Sequence, residues 1–177
     1  AYEFYKKHPK ETLIVVTADH ETGGIALGTG KYALNLKALE NQKASAEVLS
    51  KKISDLRKAK NNHVAWEDIK NLLSEEMGFW SVLPITWEQE KKLRDEYEKS
   101  FVRNKVEFAE SMYAKTEPMA AKAKEVMDQI AMVGWTSGGH SAGYVPVFAI
   151  GAGSDLFIGK MDNTEIPKRI AKAGGYK

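Results

Sequence analysis

The chain has 177 residues, enough for one sizeable domain or two small ones with real cores. Lys and Arg total 26 against 24 Asp and Glu, a formal charge of +2, so whole-chain charge gives no argument for a nucleic-acid or anionic-membrane partner. With no cysteine, disulfide frameworks and thiolate metal sites are excluded, and any metal falls to carboxylates and the four histidines, His8, His20, His63 and His140. No apolar run approaches the roughly 20 residues of a membrane span.

Residues 1–30 read as an α/β unit. Tyr2, Phe4 and Tyr5 sit on a short helical segment that Pro9 breaks. The apolar, β-branched run TLIVVTA then suits a strand covered on both faces. The chain starts with Ala1 as if in mid-helix, which reads as a fragment or processed piece of something longer, so localisation is not legible at its N-terminus.

Residues 31–132 change character: Lys, Glu and Ala dominate, and apolar residues fall at helical spacing. Leu49, Ile53 and Leu56 are one such set; Trp66, Ile69 and Leu73 another; Leu93, Tyr97 and Phe101 a third. Thr86 and Gln89 form a capping box that opens the longest helix, about 87–115. Pro118 stands in the first turn of a further helix, with a stripe of Met119, Ala123, Val126 and Ile130. This zone is expected to be a mostly helical insertion, with Trp66, Phe79, Trp80 and Trp87 as its aromatic core. Residues 133–177 return to the pattern of the opening segment. They hold the glycine-rich GWTSGGHSAG, a strand in YVPVFAIGAG, a short edge strand in DLFIG, and a capped terminal helix in DNTEIPKRIAKAGG. The expected fold class is therefore α/β, a partial sheet-and-helix core (1–30 and 133–177) interrupted by the insertion (31–132).

Two stretches carry candidate chemistry. Asp19 and His20 are adjacent, and neighbours on a regular strand point to opposite faces. Both can reach one ion only where the strand ends and the backbone bends, and ETGG supplies that bend. Asp plus neutral His is a sensible part-set for Zn²⁺; a turn cap beside a hydrogen-bonded histidine fits the dipeptide equally well. His140 lies between glycines in a second polar loop at the edge of a second apolar strand, where it is either an exposed loop histidine or part of the same site. His8 and His63 read as solvated loop residues without chemistry. Ser137 and Ser141 flank His140 without any nucleophile-elbow pattern, well below the metal reading.

TLIVVTADHETGG together with GWTSGGHSAGYVPVFAIGAGSDLFIGKMDNTEIPKRIA resembles the C-terminal half of an alkaline phosphatase. The TADH core is shared with phosphomutases of the wider superfamily; ETGG and MDNTEI favour alkaline phosphatase proper. The resemblance implies that Asp19 and His20 bind one of two zinc ions, the one that activates the nucleophile, and that His140 binds the other. It also implies that the Ser or Thr nucleophile, the phosphate-gripping residue, the magnesium ligands and the remaining zinc ligands lie in a missing N-terminal half, so that these 177 residues alone are inactive. Phosphate monoesters as substrates, a periplasmic or extracellular location and a possible homodimer come with the resemblance, and an exposed sheet edge is expected to favour self-association. Two other readings stand beside it. One is a phosphomutase or phosphodiesterase of the same superfamily. The other is a non-enzymatic binding module that uses the insertion.

Overall fold

In the computed structural model, which describes residues 1–30, 32–110 and 115–176, early and late segments of the chain pair with one another. In chain order the elements are α1 (Tyr2–Lys7), β1 (Leu13–Val16), β2 (Glu21–Thr22), β3 (Ile25–Leu27), α2 (Ala46–Ala59), α3 (Trp66–Met77) and α4 (Trp87–Tyr97). They continue as β4 (Ala109–Glu110), β5 (Lys115–Thr116), α5 (Pro118–Ala131), β6 (Val133–Trp135), β7 (His140–Ser141), β8 (Phe148–Gly151) and α6 (Glu165–Ala173). Mixed helix and strand content places the protein in the expected α/β class. Two compact units result: Ala1–Gly24 with His140–Lys177, and Ile25–Gly139.

In the first unit β1 pairs antiparallel with β8, Leu13 opposite Gly151 and Val16 opposite Phe148. Gly151 has φ of +105°, and a Cβ there would stand 2.0 Å from the Thr12 carbonyl oxygen, so only glycine fits. The strand is not covered on both faces as its apolar run suggests: Leu13, Ile14 and Val15 are half-buried and Val16 is 58% exposed. The reason is topological, since β1 has β8 as its one strand partner and the sheet stops at two strands among the described residues. The DLFIG segment is a 3₁₀ turn, Ser154–Phe157, rather than an edge strand. It follows Gly153, whose left-handed φ starts a helical turn, and Phe157 is turned inward at 5% exposure.

The second unit holds a helical core. Ile53, Ile69, Leu73, Phe79, Leu93 and Val126 are all fully buried, most of them from the stripes that the sequence spacing marks. Helix starts follow local chemistry. Thr86 Oγ1 accepts from Gln89 N–H at 3.3 Å while Gln89 Oε1 accepts from Thr86 N–H at 3.0 Å, the reciprocal box. Pro118 occupies the first turn of α5, and the Glu117 carboxylate before it accepts from Met119 N–H (2.7 Å) and Ala120 N–H (3.2 Å).

Two expectations fail here. The helix opened by Thr86 ends as an α-helix at Tyr97, widens into a π turn over Glu98–Val102, and does not reach residue 115. Arg103 N–H bonds to Glu98 O, and Asn104 then takes a left-handed φ of 51°, which breaks the helical path; residues 111–114 lie outside the described ones. Trp87 is 72% exposed instead of joining the aromatic core, because it occupies the first position of α4 on the side away from Leu93 and its neighbours. Trp66 and Trp80 do meet edge-on, with centroids 6.1 Å apart.

Candidate metal-binding site

Directly after β1 the chain bends. The bend falls at residues 19 and 20 themselves, while Gly23 and Gly24, with φ of 84° and 58° that side chains resist, end β2 after the two residues that follow His20. The bend brings the side chains of Asp19 and His20 together: Asp19 Oδ2 stands 3.3 Å from His20 Nε2. The other Asp19 oxygen, Oδ1, accepts from the His20 backbone N–H at 3.1 Å.

His20 Nδ1 lies 3.1 Å from the Glu21 carbonyl oxygen and 3.2 Å from Thr22 Oγ1. A carbonyl only accepts, so Nδ1 carries the proton in that bond and a neutral ring presents its Nε2 lone pair to Asp19. A lone pair facing a carboxylate oxygen is repulsive unless a cation, whether proton or metal, lies between them. Two donors on one tetrahedral zinc, with bonds of about 2.0–2.1 Å, stand about 3.3 Å apart, so this pair fits as two ligands of a single ion. The backbone carbonyl behind Nδ1 is the usual outer support of a metal-bound histidine.

β2 pairs with β7 in the register Glu21 opposite Ser141 and Thr22 opposite His140. The His20 and His140 rings meet with centroids 3.5 Å apart, tilted by 33°. The structure therefore brings His140 to the adjacent Asp19 and His20, from which it is far apart in sequence. His8 and His63 are exposed, and His63 Nδ1 contacts Asn61 O at 2.9 Å. Among the described residues, no group of three or more His, Asp or Glu side chains could hold a metal by itself.

A cleft of about 400 Å³ opens beside the pair, lined by Thr17, Asp19, His20, Tyr144, Asp162 and Asn163 among others. Asp162 comes from the MDNTEI stretch, and its Oδ1 accepts from Thr164 N–H at 2.9 Å and Thr164 Oγ1 at 2.7 Å. The Thr164 hydroxyl and then its backbone N–H hold the Asp162 carboxyl below its usual range. Neither serine beside His140 is set up as a nucleophile. Ser137 Oγ donates to Gly139 O at 3.0 Å, and Ser141 Oγ donates to Glu21 Oε2. Glu21 is the residue that reading from sequence misses. Its one signal is its place opposite Ser141 in the glycine-rich loop, and that pairing appears only when residues 21 and 141 are brought together.

The alkaline phosphatase family model matches residues 1–176. The chain belongs to the alkaline phosphatase family. It is 32% identical over 187 aligned positions to alkaline phosphatase 3 of Bacillus subtilis and 28% identical over 173 to alkaline phosphatase 4 of the same organism. These matches cover 99% and 97% of this chain but 33% and 31% of the relatives, so the chain spans about a third of their length. A cold-active alkaline phosphatase from the psychrophile Shewanella sp. aligns over 98% of the chain and 36% of its own, with TM-score 0.64 at 24% identity. The Thermus thermophilus alkaline phosphatase aligns over 99% and 36%, with TM-score 0.59 at 21% identity, and both share the fold. Alkaline phosphatases are in general metal-dependent hydrolases of phosphate monoesters and are often secreted or periplasmic. Among the described residues of this family member, no helix is long and apolar enough to cross a membrane.

Proposed function

We propose that this chain is the C-terminal part of a zinc-dependent alkaline phosphatase and contributes part of a two-metal site. Asp19 and His20 serve one ion and His140 the other. The observation that carries the reading is the approach of Asp19 Oδ2 to His20 Nε2 at 3.3 Å, with Nδ1 already committed to a backbone carbonyl. Zinc bound there supplies Lewis-acid stabilisation of the oxygens entering and leaving phosphorus. The chain's own residues orient the donors: the Glu21 carbonyl fixes the His20 ring, and the β2–β7 pairing keeps His140 against it.

On this reading residues 1–30 and 133–177 belong to the phosphatase core and residues 31–132 are its insertion. The Ser or Thr nucleophile that forms the phosphoenzyme, the phosphate-gripping residue, the magnesium ligands and the other zinc ligands come from the part of the family pattern that these residues do not match. The same reading carries export to the periplasm or cell surface and a homodimeric whole protein.

The purified 177-residue chain is expected to bind Zn²⁺ weakly, to release it on dialysis and to leave p-nitrophenyl phosphate unhydrolysed, with His20→Ala abolishing the weak binding. Turnover of the ester that disappears in His20→Ala would overturn the partial-site reading. Zinc binding indifferent to His20→Ala would overturn the ligand assignment.

A further inference from the structure

Glu21 follows His20 on β2 and stands opposite Ser141, the residue after His140 on β7, and its carboxylate is not among the three donors assigned to metal. Its Oε1 accepts from Gly24 N–H at 2.7 Å, closing the turn that follows His20. Its Oε2 accepts from Ser141 Oγ, the residue next to His140. The Glu21 carbonyl holds His20 Nδ1. One residue therefore contacts the ring of the first histidine, the turn behind it and the strand of the second.

We propose that Glu21 is a positioning residue that clamps His20 to His140, an inference that rests on the reading of these histidines as metal ligands. The need for a clamp follows from the length of the pairing. β2 and β7 have two residues each, and so short a ladder specifies its own register weakly. A slip of one residue would turn His140 to the opposite face. Glu21 and Ser141 are directly opposed, so their side-chain bond holds only in the observed register.

The surrounding backbone is shaped to admit this bond. A Cβ at Gly143 would stand 3.1 Å from Glu21 Cγ and 3.3 Å from Ser141 Oγ, so a side chain there would press on the clamp. Gly143 N–H donates to Ser141 Oγ at 3.3 Å, leaving that hydroxyl's own proton for Glu21. Gly138 and Gly139, on the other side of His140, have open space where a Cβ would go. The crowding is confined to the clamp side.

The test uses the metal-free chain and its Zn²⁺ titration together. Rings this close shift each other's proton resonances, so the His20 and His140 imidazole signals report the contact without metal. Glu21→Ala is expected to collapse that mutual shift and to weaken Zn²⁺ binding about 10- to 100-fold, with the circular dichroism spectrum unchanged. Glu21→Gln is expected to preserve the shift and stay within about threefold in affinity, because its amide accepts from Gly24 N–H and meets Ser141 Oγ as a donor. Retention of the ring contact in folded Glu21→Ala would overturn the proposal, as would a Glu21→Gln variant as impaired as Glu21→Ala. Should Glu21→Ala lose its fold, Ser141→Ala carries the same test with the same expected loss of ring contact. A parent chain that shows the ring contact, loses it in Glu21→Ala and binds no Zn²⁺ would uphold the clamp and overturn the metal reading.

Discussion

The two units bury their apolar residues to different degrees. In Ile25–Gly139 one buried cluster draws on residues from Ala38 to Met127. In the other unit, among the described residues, only Gly23 and Phe157 are buried, while Val16, Phe148 and Ile158 are 58%, 64% and 78% exposed. The unit Ile25–Gly139 is thus the one with a self-sufficient core. The unit that carries Asp19, His20 and His140 is held by short strands, turns and side-chain bonds. The buried core and the Asp19, His20 and His140 cluster therefore lie in different parts of this chain.

The sharpest way to break that contrast is at Glu117. It is 1% exposed, pairs with Arg57 Nη2 at 2.9 Å, caps α5, and donates its own N–H to Ser50 Oγ at 3.0 Å. Arg57 in turn lies 3.5 Å over the Phe101 ring and donates to Ser100 O at 3.2 Å. Glu117→Ala leaves the Arg57 guanidinium buried without its partner, which is expected to cost about 3–5 kcal/mol. Urea unfolding followed at the tryptophans reads this, and a loss below about 1 kcal/mol would show that the second unit does not depend on the network.

A pair of truncations sharpens the comparison directly. Leu73→Ala, at 0% exposure, is expected to lose about 2–5 kcal/mol, because the cavity adds to the lost transfer energy. Val16→Ala, at 58% exposure, should change stability by no more than about 0.5 kcal/mol. Equal losses in the two thermal melts would remove the distinction between the units.

The smallest expected effect is electrostatic. Lys122 (2.6 Å) and then Lys92 (2.9 Å) hydrogen-bond to Glu125 and lower its pKa from 4.5 in the folded state. A depressed carboxyl pKa stabilises the fold above the unfolded value, and the gain fades as pH falls through the folded one. Glu125→Gln is therefore expected to cost about 0.5 kcal/mol at pH 7, discounted because the side chain is 42% exposed. The difference between parent and variant should shrink as the pH is lowered below 4.5, and a difference that grows on acidification would contradict the sign.

Local chemistry is legible in the sequence where it acts within a few residues. The Thr86–Gln89 box, Pro118 at the start of α5 and the stripes of the buried helices all depend on spacings inside one element. The end of α4 is not legible, because Leu93, Tyr97 and Phe101 keep helical spacing straight into a π turn whose fifth-residue bond leaves the pattern nearly intact. Trp87 defeats the sequence for a similar reason: composition makes tryptophan a core residue, while position on the helix decides its face. At the site, the turn that ends β2 is readable from Gly23 and Gly24, whereas the bend at Asp19 and His20 precedes them by a whole strand. The contact of His20 with His140 and the bond from Ser141 to Glu21 join residues that sequence separates widely, and no local rule specifies them.

The pairing of β3 with β6 has a consequence for how the chain can assemble. Closing a flexible loop of roughly a hundred residues costs about 4 kcal/mol of chain entropy. Here Ile25 stands opposite Trp135 inside the unit that has its own core, so the burial of Leu73, Phe79 and their neighbours offsets that cost. Once that unit is folded, the chain segments that leave it begin as neighbours. For β2 to find β7, and for His20 to find His140, the search is then kinetically a short-range one, although the residues are distant in sequence.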